Sequence, residues 1–194
     1  MIFAILASAV LSTNAVLSAD ASAADFVASC RLMMPETVSV EGRIVLRNRR
    51  GMVQAEHSYS LVRSPAGTEL VIDGEKYVPD GKPIKETDVM WSDLTLDYLD
   101  WNDYAFDAEK ESETVHGQVC SVIDMKKGDR LVKVWVDRKT GALMQAEEYA
   151  DGKAARRLWG TRVKKFGDRW APNVLEVEKL GSGRRTKITV EKLT

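Results

Sequence analysis

The sequence predicts a mainly β (α+β) protein: an unclosed antiparallel β-barrel of about ten or eleven strands with short helices covering its concave face. Three observations predict it. Apolar and polar residues alternate with period two along most of the chain, as they do in strands with one buried face. Turn-forming pairs such as Asp73-Gly74, Asp151-Gly152 and Gly167-Asp168 interrupt this alternation at short intervals, too short for crossover helices. Only two stretches, Asp25 to Met34 and Asp88 to Trp101, show helical spacing instead. A single antiparallel sheet of that size curls, and its concave apolar face then needs the helices as a cover.

Residues 1–24 read as an export leader, followed by one domain over residues 25–194. Ile2 to Leu11 is an apolar run too short to span a bilayer, and Ala21-Ser22-Ala23 fits the small-x-small cleavage pattern. No Lys or Arg precedes the run, so the leader is either atypical or begins upstream. The remaining chain of about 170 residues is long enough for a sizeable core. Its charges balance: 28 basic residues face 29 acidic ones, and one of the latter, Asp20, lies within the leader. A neutral balance argues against a nucleic-acid partner. Cys30 and Cys120, the only cysteines, are expected to form a disulfide as the sole pair in an exported chain, the alternative being two buried, unpaired thiols. Closing such a loop would stabilise the fold by about 3–5 kcal/mol in the chain-entropy model. Val27-Ala28-Ser29-Cys30 superficially matches a lipobox, but Asp20 and Asp25 interrupt the apolar segment that should lead into a lipidated cysteine.

Asp25 to Met34 places Phe26, Cys30 and Met33 or Met34 on one helical face, and Pro35 stops the helix. Thr37 to Asn48 is a strand with Val38, Val40, Ile44 and Leu46 pointing one way and Gly42 marking a bulge. Met52 to Arg63 returns antiparallel to it. Glu69 to Ile72 and Lys76 to Val78 form the next hairpin around Asp73-Gly74. In Asp88 to Trp101, the residues Val89, Met90, Leu94, Tyr98 and Trp101 predict a short amphipathic helix with a solvated, Asp-rich opposite face. Asn102 to Ser112 is polar, and Thr114 to Met125 resumes strand. A meander follows over Leu131 to Lys165, in which Val132, Val134 and Val136 share one face and Lys133 and Trp135 the other. The last strands span Trp170 to Leu180 and Thr186 to Leu193.

No residue set announces a reaction. His57 follows Glu56 and His116 precedes Gly117, but neither belongs to a set of three or four ligands at zinc-site spacing; no serine lies in a nucleophile motif, and Asp97, Asp100, Asp103 and Asp107 lack the glycine and terminal glutamate of a calcium loop. No catalytic residue, metal or cofactor is therefore expected. An apolar cavity for aliphatic chains is the chemistry such a barrel offers, because affinity for these chains comes from area removed from water. Candidate lining residues are Met33, Met34, Met90, Leu94, Val134, Val136, Met144 and Trp159, with methionine suited to an adaptable surface. A one-residue register error would exchange Val134 for Trp135.

The chain resembles the outer-membrane lipoprotein-sorting, or LolA-like, families of Gram-negative bacteria. The likeness is carried by Val115-x-Gly117-x-x-Cys120, by Val134-Trp135-Val136-Asp137-Arg138-Lys139-Thr140-Gly141, and by Glu148-Tyr149-x-Asp151-Gly152-Lys153. Trp91-Ser92-Asp93-Leu94 is similar to the entry of those families' mid-chain helix. The resemblance is clearest over about residues 88–192. It implies a helix-capped open barrel acting in the periplasm as a carrier of lipid or lipoprotein acyl chains, between an inner-membrane transporter and an outer-membrane acceptor. A monomer is expected. The alternative on the same fold is a non-enzymatic sensor of envelope stress or a protein-interaction module.

Overall fold

The computed structural model describes residues 20–194, so the expected leader, apart from residues 20–24, lies outside the described residues. Helix α1 (Ala23–Met33) starts in a capping box: the Ser22 hydroxyl accepts the Asp25 N–H, and the Asp25 carboxylate accepts the Ser22 N–H at 2.8 Å. Ser22, inside the segment that reads as a cleavage site, is thus the N-cap of α1. The helix ends where Met34 turns extended (φ −88°, ψ 119°) before Pro35.

The strands are β1 (Val38–Arg47), β2 (Val53–Ser64), β3 (Gly67–Ile72), β4 (Glu75–Lys76), β5 (Asp103–Phe106), β6 (Ser112–Val115), β7 (Gln118–Lys127), β8 (Arg130–Asp137), β9 (Leu143–Ala150), β10 (Lys153–Phe166), β11 (Arg169–Lys179) and β12 (Arg184–Leu193). They form one 12-stranded sheet in the order β4-β3-β2-β1-β12-β11-β10-β9-β8-β7-β5, with β6 also paired to β7. Every pairing is antiparallel. First and last long strands meet at the β1–β12 seam, but the outer strands β4 and β5 do not pair, so the barrel is unclosed. At that seam the ladder shifts register at Glu41/Gly42, where the alternation expects a bulge. Gly42 is required there for space: a Cβ would lie 1.8 Å from the Thr189 carbonyl oxygen.

The sheet has two strands more than the sequence shows plainly. One is β5, inside the polar stretch after Trp101. The other arises because His116 and Gly117, both with positive φ (49° and 79°), split the expected Thr114–Met125 strand into β6 and β7. The second helical segment also differs. Instead of one amphipathic helix, α2 (Trp91–Thr95) ends at Leu96, whose backbone is left-handed (φ 53°), and a 3-10 helix follows over Asp97–Asp100.

One face of the sheet carries the main core. Ile44, Leu61, Leu70, Leu158 and Ile188 meet Val132, Val134 and Val136 of β8 there. The cover consists of Phe26, Val27 and Cys30 from α1, Ile84 and Val89 from the loop before α2, and Leu96, Tyr98, Leu99 and Trp101. Phe26 packs edge-on against Phe106 at 6.1 Å, fixing α1 to β5. The other face carries a small cluster of Val115, Cys120, Val122, Trp135 and Met144 beneath β6. Val134 therefore lies on the covered face and Trp135 on the outer one.

The expected disulfide is not formed. Cys30 and Cys120 are free, buried thiols in different clusters. Cys120 shares the outer face of β7 with Val122, whereas Ile123 and Met125 point to the core that holds Cys30. The Cys30 Sγ lies 3.4 Å from the Gly141 carbonyl instead. Burial pushes both thiols up to about 12, which leaves them protonated and unreactive.

Candidate functional site

Beneath α2 the covered face is not completely filled. A cleft of about 80 Å³ opens between the sheet and the start of the roof. Its floor is Tyr59 and Leu61 of β2, Leu158 of β10, Ala171 of β11, and Ile188 and Val190 of β12. Alternation places these side chains together: residues two apart on one strand share a face, and antiparallel register sets Ile188 beside Ile44 and Leu175. Leu94 and Leu96 form the roof, and Val40, Leu175 and Leu193 form a half-buried rim. Among the described residues, Asp93 is the only charged one in the lining.

Ion pairs hold the roof down. Asp93 accepts from the Arg156 guanidinium of β10, which also reaches Glu148 of β9 at 2.9 Å. Arg130 lies 3.4 Å from Glu148 and stacks over the Trp101 ring at 5.0 Å. Arg184 pairs with Asp88 at 3.3 Å, and Arg63 with Asp100 at 3.0 Å. From α1, Arg31 donates to the carbonyls of Leu99 and Trp101 at 2.6 and 2.8 Å. Asp93 also accepts the Met90 N–H at 2.7 Å, which anchors the first turn of α2. Burial raises the Asp93 carboxyl above the usual range, with Arg156 and the Met90 amide opposing that shift.

The Asp-rich face expected to be solvated is therefore partly interior. Asp88 and Asp93 are both buried, and the reason is tertiary: β10 and β12 bring arginines inward to meet them. A mainly apolar lining with one charge at its edge suits an aliphatic chain better than a polar ligand. Its present volume is well under the roughly 300–1,000 Å³ of ordinary small-molecule sites.

Of the side chains expected to line a cavity, Leu94 does so. Val134 and Val136 are fully buried in the main core further along the sheet, and Met34 packs against its margin. Met33 is half-buried on α1, and Met90 is half-buried at the start of α2. Met144 lies in the outer cluster with Trp135. Trp159 follows Leu158 on β10 and so faces outward, under the Arg185 guanidinium at 5.7 Å. The fold thus separates this set rather than gathering it. The lining residues Tyr59, Leu61, Ile188 and Val190 were signalled only by alternation in β2 and β12, and no local feature marks those strands as neighbours of α2. Among the described residues, no group of three or more His, Cys, Asp or Glu side chains is placed to hold a metal ion.

A family model described as "-like: Uncharacterized protein" matches residues 73–194, well over half of the chain. The chain belongs to that family. No curated protein matches the sequence. Solved structures show the fold. A LolA superfamily protein from Nitrosomonas europaea superposes with a TM-score of 0.62 at 13% identity, covering 89% of this chain and 93% of that one. A DUF1329 family protein from Desulfovibrio piger gives 0.60 at 17% identity, covering 87% and 89%. An outer membrane lipoprotein-sorting protein domain from Vibrio parahaemolyticus gives 0.57 at 12% identity, covering 81% and 84%. The chain shares its unclosed-barrel fold with these three structures. The family match covers α2 with its ion-pair partner Arg156, the Asp88–Arg184 pair before α2, and β10 to β12, but omits β1 and β2, which supply Val40, Tyr59 and Leu61 to the cleft.

Proposed function

We propose that this chain is a periplasmic carrier that takes acyl chains of lipoproteins or related lipids into the cleft under α2 and shuttles them towards the outer membrane. An inner-membrane transporter would donate the cargo and an outer-membrane acceptor would receive it. The reading is non-enzymatic and uses no cofactor. The observation that carries it is the apolar cleft between Leu94, Leu96, Leu158 and Ile188, roofed by a short helix that the Asp93–Arg156 ion pair ties to β10. The Vibrio parahaemolyticus domain of the same fold is described as an outer membrane lipoprotein-sorting protein domain, which agrees with this reading.

The small volume of the closed cleft favours a second reading, an envelope-stress sensor or protein-interaction module on the same fold. Native mass spectrometry of detergent-free protein, with organic extraction of bound material, separates the two. The carrier predicts a co-purifying lipid or acylated peptide, and loss of a fluorescent fatty-acid probe from a folded Leu158→Asp variant, because a carboxylate in the cleft floor is costly to bury. An apo mass that excess lipid leaves unchanged sinks the carrier and leaves the interaction module.

A further inference from the structure

The β10–β11 hairpin is longer than its neighbours. β9 pairs with β10 only over Lys153–Trp159, and β12 meets β11 only from Val174 onward. Residues 160–173 therefore form a two-stranded arm with no ladder partner on either outer edge. Pro172, which cannot donate a backbone hydrogen bond, is tolerated because it precedes the β11–β12 ladder.

The arm's chemistry sets it apart from the rest of the chain. It contains Arg162, Lys164, Lys165 and Arg169 against one acid, Asp168, whereas the whole chain has a net charge of −1. Arg162, Lys164 and Lys165 are exposed. Trp170, opposite Lys165 in the register, is 50% exposed, and the Lys164 ammonium sits 5.2 Å over the half-buried Phe166 ring. Lysines on a free edge have a simpler role, blocking edge-to-edge aggregation. That role does not account for the tryptophan, which on an unpaired edge favours association. Basic residues beside an exposed indole match the two layers of a bilayer surface, anionic headgroups and the interfacial zone below them.

We propose that the tip of this arm docks on an anionic lipid surface. The arm rests at headgroup depth, since unpaired strand edges are not tolerated in hydrocarbon. Ala171, in the cleft wall, stands four residues from Gly167 at the tip, roughly 13 Å along an extended strand. Docking would therefore hold the cleft close to the bilayer. The inference goes beyond the carrier reading and does not depend on what the cleft binds.

The test is co-sedimentation of the full chain with vesicles of phosphatidylcholine alone or with phosphatidylglycerol, at low salt and at high salt. The expected result is selective, salt-sensitive binding to the anionic vesicles, with Trp170 quenched by brominated lipid. At about fivefold per basic residue near such a surface, Lys164→Gln/Lys165→Gln should bind about 25-fold more weakly with unchanged circular dichroism. No binding to anionic vesicles overturns the proposal, as does equal binding by the double variant, or equal binding to neutral vesicles. The fatty-acid probe separates the two readings: the double variant should still bind it, and Leu158→Asp should lose the probe yet still reach the vesicles.

Discussion

Replacing Arg156 with methionine would remove the cation that ties α2 to the barrel wall. Methionine keeps most of the aliphatic stem, so the change isolates the guanidinium. The Arg156 side chain is 14% exposed, and its partners Asp93 and Glu148 are 8% and 25% exposed. Removing one member of a buried ion pair costs about 3–5 kcal/mol, because the remaining charge is left desolvated. The lower end applies here: Glu148 retains Arg130, and Asp93 retains the Met90 N–H. A loss of about 3 kcal/mol, with a urea slope of about 2 kcal/mol/M, moves the unfolding midpoint down by about 1.5 M at pH 7. The pH dependence has a definite sign. Burial raises the folded Asp93 carboxyl above its unfolded value, so its protonated form contributes stability that is complete below the unfolded pKa and is lost as pH rises through the folded one. Without Arg156 that folded pKa rises further. The deficit should be largest at pH 7 and shrink on acidification towards pH 4. The assay is urea denaturation of both proteins at several pH values. A midpoint shift below about 0.3 M at pH 7, or a deficit that grows on acidification, would refute the reasoning.

Gly42→Ala should cost about 3 kcal/mol or more, lowering the melting temperature by roughly 6–12 °C, because the new Cβ meets the Thr189 carbonyl, which cannot swing away, at the seam joining β1 to β12. A melting temperature within a degree or two of the parent's would show that the seam can give. Thiol titration of unreduced, denatured protein should find two free thiols, and the native protein should react with neither until it opens. A result of zero thiols after denaturation would restore the disulfide.

Strand and turn identity were legible in the sequence because they are local. Val132, Val134 and Val136 alternate with Lys133 and Trp135 whatever lies beside them, and Asp73-Gly74 and Asp151-Gly152 bend the chain through left-handed conformations that those residues tolerate. The same locality made Pro35 a dependable end to α1. His116-Gly117 could have been read as a hairpin on the same grounds; its histidine in place of the more usual asparagine or aspartate hid the β6–β7 turn.

The binding site is a different matter, because its position depends on which strands become neighbours. Alternation sorts side chains into two faces but does not say which face is covered, and it placed Met144 and Trp159 among cavity residues when both lie on the outer side. The β1–β12 seam joins positions some 140 residues apart, such as Ile44 and Ile188, and that long-range pairing puts the cleft between β2, β12 and the last strand of the meander, β10, rather than over its β8 valines. Whether an aspartate is solvated or interior is equally non-local: Asp93 is buried because Arg156 comes to it from another part of the sheet. Sequence alone determined most of the strands and turns, helix α1 and the class of surface this protein needs to bury. Only tertiary structure decided where that surface stays open, because register and strand order are set by contacts between residues far apart in the chain.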